Sequence, residues 1–365
     1  MTPLKDHLIK RIEATGPMTL AAYMAECLMH PTYGYYQKQA VFGAEGDFTT
    51  APEVSQMFGE MLGLWLADRW IKMGRPDPVN LIELGPGRGT LMADILRAVA
   101  PVEDFSAAVQ VHFVEASKQL RAAQAERVPN ADWHDTLAQV PQESGASAPG
   151  EDGVPSLIIA NEFFDALPIH QYEKSGGKWV ERMVGGMNGE LALVGGPCGP
   201  QFSLVSERVK AGPEGSIAEV CPAALSVIGD IAERLNAQGG AALVVDYGYR
   251  KTAAGDTFQA LQRHEFTDPF SAPGEADLTA HVNFEMLKTA AAEKGLNVFG
   301  PTMQGMFLMA IGLGARAQVL AGQGDDAFSA NILADLKRLT ATDQMGTLFK
   351  VLALQPHELA PPPGF

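Results

Sequence analysis

Leu4, Leu8, Ile9 and Ile12 recur at helical spacing and Gly16-Pro17 ends the run, which predicts an N-terminal helix. A second helix is predicted over Leu20–Leu28, followed by the aromatic turn His30-Pro-Thr-Tyr-Gly-Tyr-Tyr36. A third, longer helix is expected after Pro52, running through Met61, Leu62, Leu64, Trp65 and Leu66 to about Met73. These helices precede the first clear strand and read as a cap on the remainder of the chain.

From Val79 the rhythm changes. Val79–Leu84 is a short apolar run, then comes a glycine loop, then a helical stretch through Leu91, Ile95, Leu96 and Val99. Val109–Val114 reads as the next strand, with a helix after Ser117 and a shorter strand around Trp133. Leu157–Ala160 and Ala241–Val245 are two further buried strands. Repeated strand–helix units with short loops imply an α/β fold built on a parallel sheet covered on both faces. Two stretches interrupt it. Gln142–Pro155 is rich in Gly, Ser, Pro and Glu and reads as a loop, and Ile169–Val205 carries short alternating runs that read as an inserted β-hairpin region. A less regular section after Tyr249 leads to a helix at Phe284–Lys294, and Thr347–Leu354 is a final strand. The expected division is a helical cap over 1–75, a core over 76–168 and 213–250, an inserted β region over 169–212, a helical, substrate-side region over 251–340, and a last core strand and tail over 341–365.

Composition narrows the function. The 46% hydrophobic and 19% charged residues suit a globular chain with a sizeable core. A net charge of −16 repels phosphate backbones, and no basic patch offsets it, so no nucleic-acid partner is expected. An arginine-bearing protein segment suits that surface better, although acidic balance also serves plain solubility. Cys27, Cys198 and Cys221 form no CxxC pair, which argues for a reducing compartment and against a zinc site. With no HxxxH either, no metal is expected. No apolar run approaches the roughly 18 residues of a membrane helix. The N-terminal run to Lys10 has neither a signal-peptide core nor transit-peptide character, so the expected location is the cytoplasm.

The segment Leu81-Ile-Glu83-Leu-Gly85-Pro-Gly87-Arg-Gly89-Thr90 stands where a strand ends and a helix begins, the crevice in which open α/β sheets bind ligands. Glycine there lets the backbone approach a cofactor without a Cβ in the way. Dinucleotide enzymes favour GxGxxG, whereas here the third glycine comes one position early, at Gly89, and Thr90 takes the dinucleotide position. Glu83, two positions before the first glycine, offers an acceptor for an ammonium. Glu115 at the end of the next strand offers two oxygens to a ribose diol. Together these features point to S-adenosyl-L-methionine (SAM) as the cofactor. A bare strand–helix turn with a helix-capping acid is the competing explanation. Asp135, after the strand around Trp133, is a further candidate to accept from the adenine amino group, or else a helix-capping Asp.

Beyond the fourth strand the chain reads Ile159-Ala-Asn161-Glu162-Phe163-Phe164-Asp165-Ala166-Leu167-Pro168. This turn is expected to face the transferable methyl group. It lacks the prolines of the Asn/Asp-Pro-Pro-aromatic motif of base-amine methyltransferases and carries two carboxylates instead, which suit a cationic acceptor such as a guanidinium. Glu162, Asp165 and Asn161 are the candidate catalytic residues, and helix capping is the alternative for the two acids. His281, in Gly274-Glu275-Ala-Asp277-Leu-Thr279-Ala-His281-Val282, is a candidate general base, and Asp277 and Thr279 beside it stay open between substrate and structural roles.

These residues resemble the MidA family over nearly the whole chain, from Tyr33-Gly-Tyr-Tyr36 to about Leu354. The marks are Gly46-Asp-Phe-Thr-Thr-Ala-Pro-Glu53 with Ser55-Gln56, Glu83–Thr90, Asn161–Pro168, Asp246-Tyr-Gly248 and Ala276–Val282. The Asn161–Pro168 run is specific, whereas the glycine loop marks only the superfamily. Thr50-Ala51 departs from the usual Thr-Ser, which puts in doubt any hydroxyl role at position 51. The family's mitochondrial members are protein-arginine methyltransferases acting in assembly of respiratory complex I. The resemblance therefore implies a class I, Rossmann-like methyltransferase with SAM as cofactor and symmetric dimethylation of an arginine on a client protein. It also adds Asp47 and Gln56 to the expected cofactor-binding set of Glu83, Gly85, Gly87, Gly89, Glu115 and Asp135. A eukaryotic member would work in the mitochondrial matrix. Whether the client is a complex I subunit and whether the chain pairs as a homodimer stay open at this point. The competing functions are a methyltransferase on another acceptor, a SAM-binding assembly chaperone and a nicotinamide oxidoreductase, the last disfavoured by Gly89 and Thr90.

Overall fold

The strand Val79–Leu84 is buried at every position, as are Ser156–Asn161 and Phe349–Gln355, in a computed structural model that describes residues 2–37, 50–142 and 153–365. Such continuous burial is what strands covered on both faces require. The sheet runs in the order Asn297–Met303, Phe349–Gln355, Gly240–Tyr249, Ser156–Asn161, Val79–Leu84, Val109–Val114, Asp132–His134. From Gly240–Tyr249 to Asp132–His134 every pairing is parallel. The expected all-parallel sheet needs one correction. Phe349–Gln355 runs antiparallel to Gly240–Tyr249, and Asn297–Met303 antiparallel to Phe349–Gln355, so the sheet is mixed. A run buried along its whole length carries no directional signal, which is why the pattern alone misses this.

Contacts group the chain into two units. One comprises Met1–Phe48, Phe164–Ser226 and Lys251–Asn283, and the other Thr49–Phe163, Val227–Arg250 and Phe284–Phe365. The second unit contains the strands just described. In it the helix Gln56–Lys72 packs on Thr90–Val99 through Gly59 and Gly63, and a Cβ at Gly59 would stand 2.6 Å from Asp94 Cβ. The single long helix expected after Pro52 is two. Ser55 adopts an extended backbone, ends Ala51–Val54 and caps Gln56–Lys72 by accepting from Met57 N.

In the first unit, Pro3–Thr15 and Leu20–Met29 bury Leu4, Leu8, Tyr23 and Met24 in a core shared with Val184, Leu191 and Leu278. The β-hairpin region is formed by His170–Ser175, Lys178–Met187 and Glu190–Gly196. Its turns Gly176-Gly177 and Asn188-Gly189 have positive φ at both residues, the conformation that two-residue hairpins demand. The stretch after Tyr249 is more ordered than its pattern suggests, since Gln259–Gln262 pairs with both Glu265–Thr267 and Asp277–Thr279.

Candidate active site

The chain leaves Val79–Leu84, builds Val109–Val114 and Asp132–His134 on one side, then returns to Ser156–Asn161 on the other. That reversal creates a crevice at the strands' carboxyl ends. The register sets Leu84 against Ala160, so the glycine loop and the Asn161-Glu162 turn leave the sheet side by side. Gly85, Gly87 and Gly89 have φ of +63°, +52° and +79°, a left-handed path that L side chains resist. Gly85 N donates to Val114 O at 3.0 Å and Gly89 N to Pro86 O at 2.7 Å, which ties the loop into a compact turn before Thr90–Val99.

Glu83 is 3% exposed, and its Oε2 has no hydrogen-bond partner among the described residues. Burial pushes its carboxyl up to about 8. A buried, unmatched acceptor beside a glycine loop fits an ammonium donor, because pairing removes the cost of burying it alone.

Glu115 is buried at the end of Val109–Val114, and both its oxygens are oriented from within the unit. Oε1 accepts from Ser117 N at 2.7 Å and Oε2 from Gln124 Nε2 at 3.2 Å. Burial raises its carboxyl above the ordinary range, and those two bonds oppose the rise. An ionised carboxylate has about four lone-pair directions, so acceptor capacity for a diol remains. Arg121 Nη2 lies 2.5 Å from both Glu115 O and Asp135 Oδ1, which joins two residues that sequence pattern picks out separately. Asp135 itself is 68% exposed.

Sequence pattern does not pick out Gln124 or Arg121. Both lie on Lys118–Arg127, a helix so polar that no apolar stripe marks its inner face. The one available signal is position: Gln124 falls four residues after Leu120 and three after Arg121, on a shared face.

The acidic turn divides between the units. Asn161 and Glu162 belong with the glycine loop, and Asp165 with the other unit. Glu162 has φ of +50°, and its Oε1 accepts from Ala51 N at 3.1 Å and Asn161 Nδ2 at 3.2 Å. It therefore anchors the start of Ala51–Val54, which gives the capping alternative a concrete form. Asn161 Oδ1 is buried without a partner among the described residues. Thr90 Oγ1 donates to Glu53 Oε1 at 2.7 Å, linking the same short helix to the glycine-loop helix. Gln56 is the exposed first residue of Gln56–Lys72. Asp47 lies outside the described residues.

In the other unit Asp165 is buried, and its backbone O accepts from Ala280 N at 3.0 Å, one residue beyond Asp277–Thr279. Tyr36 donates its hydroxyl to Asp277 Oδ1 at 3.1 Å. Burial, then Asp277 and Asp165, push this phenol well above its usual range, so the surroundings are electronegative. His281 is half-buried, and its backbone N donates to Thr257 Oγ1 at 3.0 Å. Elsewhere in that unit His7, Glu26 and His30 bring ligand-type atoms within 4.8 Å of one another. His30 Nδ1 already accepts from Thr32 N and Tyr33 N, and Glu26 pairs with Arg11, so this group has local work.

The sheet order, the glycine loop and the acid ending the next strand define an α/β methyltransferase. Known proteins similar to the chain agree. A family model described as "Putative S-adenosyl-L-methionine-dependent methyltransferase" matches residues 61–302. The chain is 39% identical over 386 residues to "Protein arginine methyltransferase NDUFAF7 homolog, mitochondrial" of Drosophila melanogaster, covering 98% of this chain and 86% of that protein. It is 35% identical over 384 residues to the Homo sapiens "Protein arginine methyltransferase NDUFAF7, mitochondrial", covering 98% and 84%. A Burkholderia thailandensis protein solved with S-adenosyl-homocysteine superposes with a TM-score of 0.83 at 24% identity, over 99% of this chain and 93% of that one. A second structure from that organism gives 0.79 at 27% identity, over 96% and 91%. The chain belongs to this MidA-type family and is a SAM-dependent methyltransferase.

Proposed function

We propose that the chain methylates an arginine side chain of a client protein. The observation that carries the proposal is near-full-length similarity to proteins named as arginine methyltransferases, at 35–39% identity. The acidic turn supports it. Glu83 would hold the cofactor's ammonium, Glu115 its ribose, and Gly85, Gly87 and Gly89 would admit it to the crevice, with Asp135 and Gln56 as further cofactor contacts. The bound cofactor supplies an electrophilic methyl group on sulfur.

A protonated guanidinium is a poor nucleophile, with a pKa above about 12. A carboxylate of the turn, Glu162 or Asp165, would bind it and draw positive charge onto the nitrogens that do not react, which leaves the attacking one better able to bond to carbon. One of the carboxylates accepts the proton that the methylated nitrogen gives up. Asn161 Oδ1 offers a further acceptor for a guanidinium N–H, and His281 is a second candidate base. By the MidA resemblance the client class is a respiratory complex I subunit and the setting a bacterial cytoplasm or a mitochondrial matrix. Symmetric dimethylation is the product that the resemblance favours.

Glu162→Gln and Asp165→Asn test these roles. Both variants should keep SAM affinity within about threefold, a change below roughly 0.7 kcal/mol, and lose most methyl transfer into protein. Full transfer by both would remove the acids from the mechanism.

A further inference from the structure

Gln124 is fully buried, and both the oxygen and the nitrogen of its amide are hydrogen-bonded. Trp133 Nε1 donates to its Oε1 at 2.8 Å, while its Nε2 donates to Gly87 O at 2.7 Å and Glu115 Oε2 at 3.2 Å. The indole nitrogen can only donate, so the amide oxygen must face Trp133 and the NH2 must face the other two. The orientation of the amide is thus dictated by chemistry as well as by fit. One side chain joins the middle of the glycine loop, the acid at the end of the next strand and the strand after that. Burying an amide costs free energy unless it is bonded. Here all its bonds go to elements that line the cofactor crevice.

We propose that Gln124 is a positioning residue for the adenosyl part of the cofactor, fixing the Gly87 carbonyl and the Glu115 carboxylate at the separation that binding requires. This rests on Glu115 as the ribose acid. Because the adenosyl part is common to SAM and S-adenosylhomocysteine, both ligands should depend on Gln124 to a similar degree.

A methionine at 124 keeps the length and bulk of the side chain but makes none of the three bonds. Gln124→Glu keeps the acceptor toward Trp133 and turns a second carboxylate on Glu115 and the Gly87 carbonyl. Calorimetric titration of the wild-type chain, Gln124→Met, Gln124→Glu and Glu115→Ala with SAM and with S-adenosylhomocysteine tests the proposal, with thermal unfolding of the ligand-free proteins alongside. Gln124→Met and Gln124→Glu should each weaken both ligands at least tenfold, with the glutamate variant the weaker. A purely packing role predicts that Gln124→Met, folded, binds both within about threefold of wild type, and that result would overturn the proposal. Should Gln124→Met fail to fold, Trp133→Phe decides. It removes the indole donor together with part of the ring; binding weakened more than threefold supports the proposal while unchanged binding defeats it. Normal affinity in Glu115→Ala would defeat the ribose reading itself. Weakened affinity there beside normal affinity in Gln124→Met defeats only the role of Gln124.

Discussion

Phe163 Cδ2 stands 2.8 Å from the place where a Cβ on Gly85 would lie. The first glycine of the loop is therefore held bare from two directions, by its φ of +63° and by this ring within the acidic turn. A left-handed backbone costs an L residue about 1–2 kcal/mol, and overpacking adds about 1–3 kcal/mol. Gly85→Val is expected to lose SAM binding and some stability together. Gly85→Ala combined with Phe163→Leu should recover part of the stability lost by Gly85→Ala alone, read as the midpoint of thermal unfolding. Unchanged SAM affinity in folded Gly85→Val would move the cofactor away from this loop.

Glu83 ties SAM binding to pH. Its folded pKa is raised from 4.5 to about 8, so between those values the folded chain keeps a proton that the unfolded chain releases. Stability without ligand then falls as pH rises through that window, by about 1.4 kcal/mol per unit from this group. Glu83→Gln should flatten that slope in urea titrations between pH 5.5 and 7.5 and raise stability at the upper end. An ammonium donor favours the ionised acid, so wild-type SAM affinity should rise from pH 6 to 7.5 with release of a proton. Equal slopes in wild type and Glu83→Gln would show that the acid is not held neutral.

Glu115 is expected to contribute two charge-assisted hydrogen bonds to the ribose, each roughly 1.5–3 kcal/mol. Glu115→Ala should weaken SAM more than tenfold. It also removes the carboxylate that accepts from Ser117 N and from one of the two Gln124 Nε2 hydrogens, so a lower unfolding temperature should accompany the loss. Glu115→Gln keeps an acceptor oxygen and should fall between the two in calorimetric titration. Alanine and wild type binding within threefold of one another would place the ribose elsewhere.

How far the sequence reaches depends on which residues carry the signal. The placement of Glu83 and Glu115 at the sheet's carboxyl edge is legible because apolar strands end abruptly at glycine or polar turns. Gln124 is not, because it lies on a helix where Leu120 and scattered alanines make no apolar stripe that would mark the buried face. The bond from Ala51 N to Glu162 joins positions 111 residues apart, a pairing that no local pattern encodes. The Ser55 break is visible as a capping residue, but the apolar run after it draws the expected helix across. The antiparallel direction of Phe349–Gln355, one strand in from the edge, stays hidden because a fully buried strand reads the same in either direction.

The most direct test of arginine methylation is to locate the methyl group. Purified protein is incubated with methyl-labelled SAM and a protein extract from cells lacking the gene, and labelled peptides are fragmented by mass spectrometry. The account predicts label on arginine side-chain nitrogens, lost with Glu162→Gln and Asp165→Asn. Label confined to lysine, histidine or carboxylate side chains would contradict it and leave a SAM-dependent methyltransferase with a different acceptor.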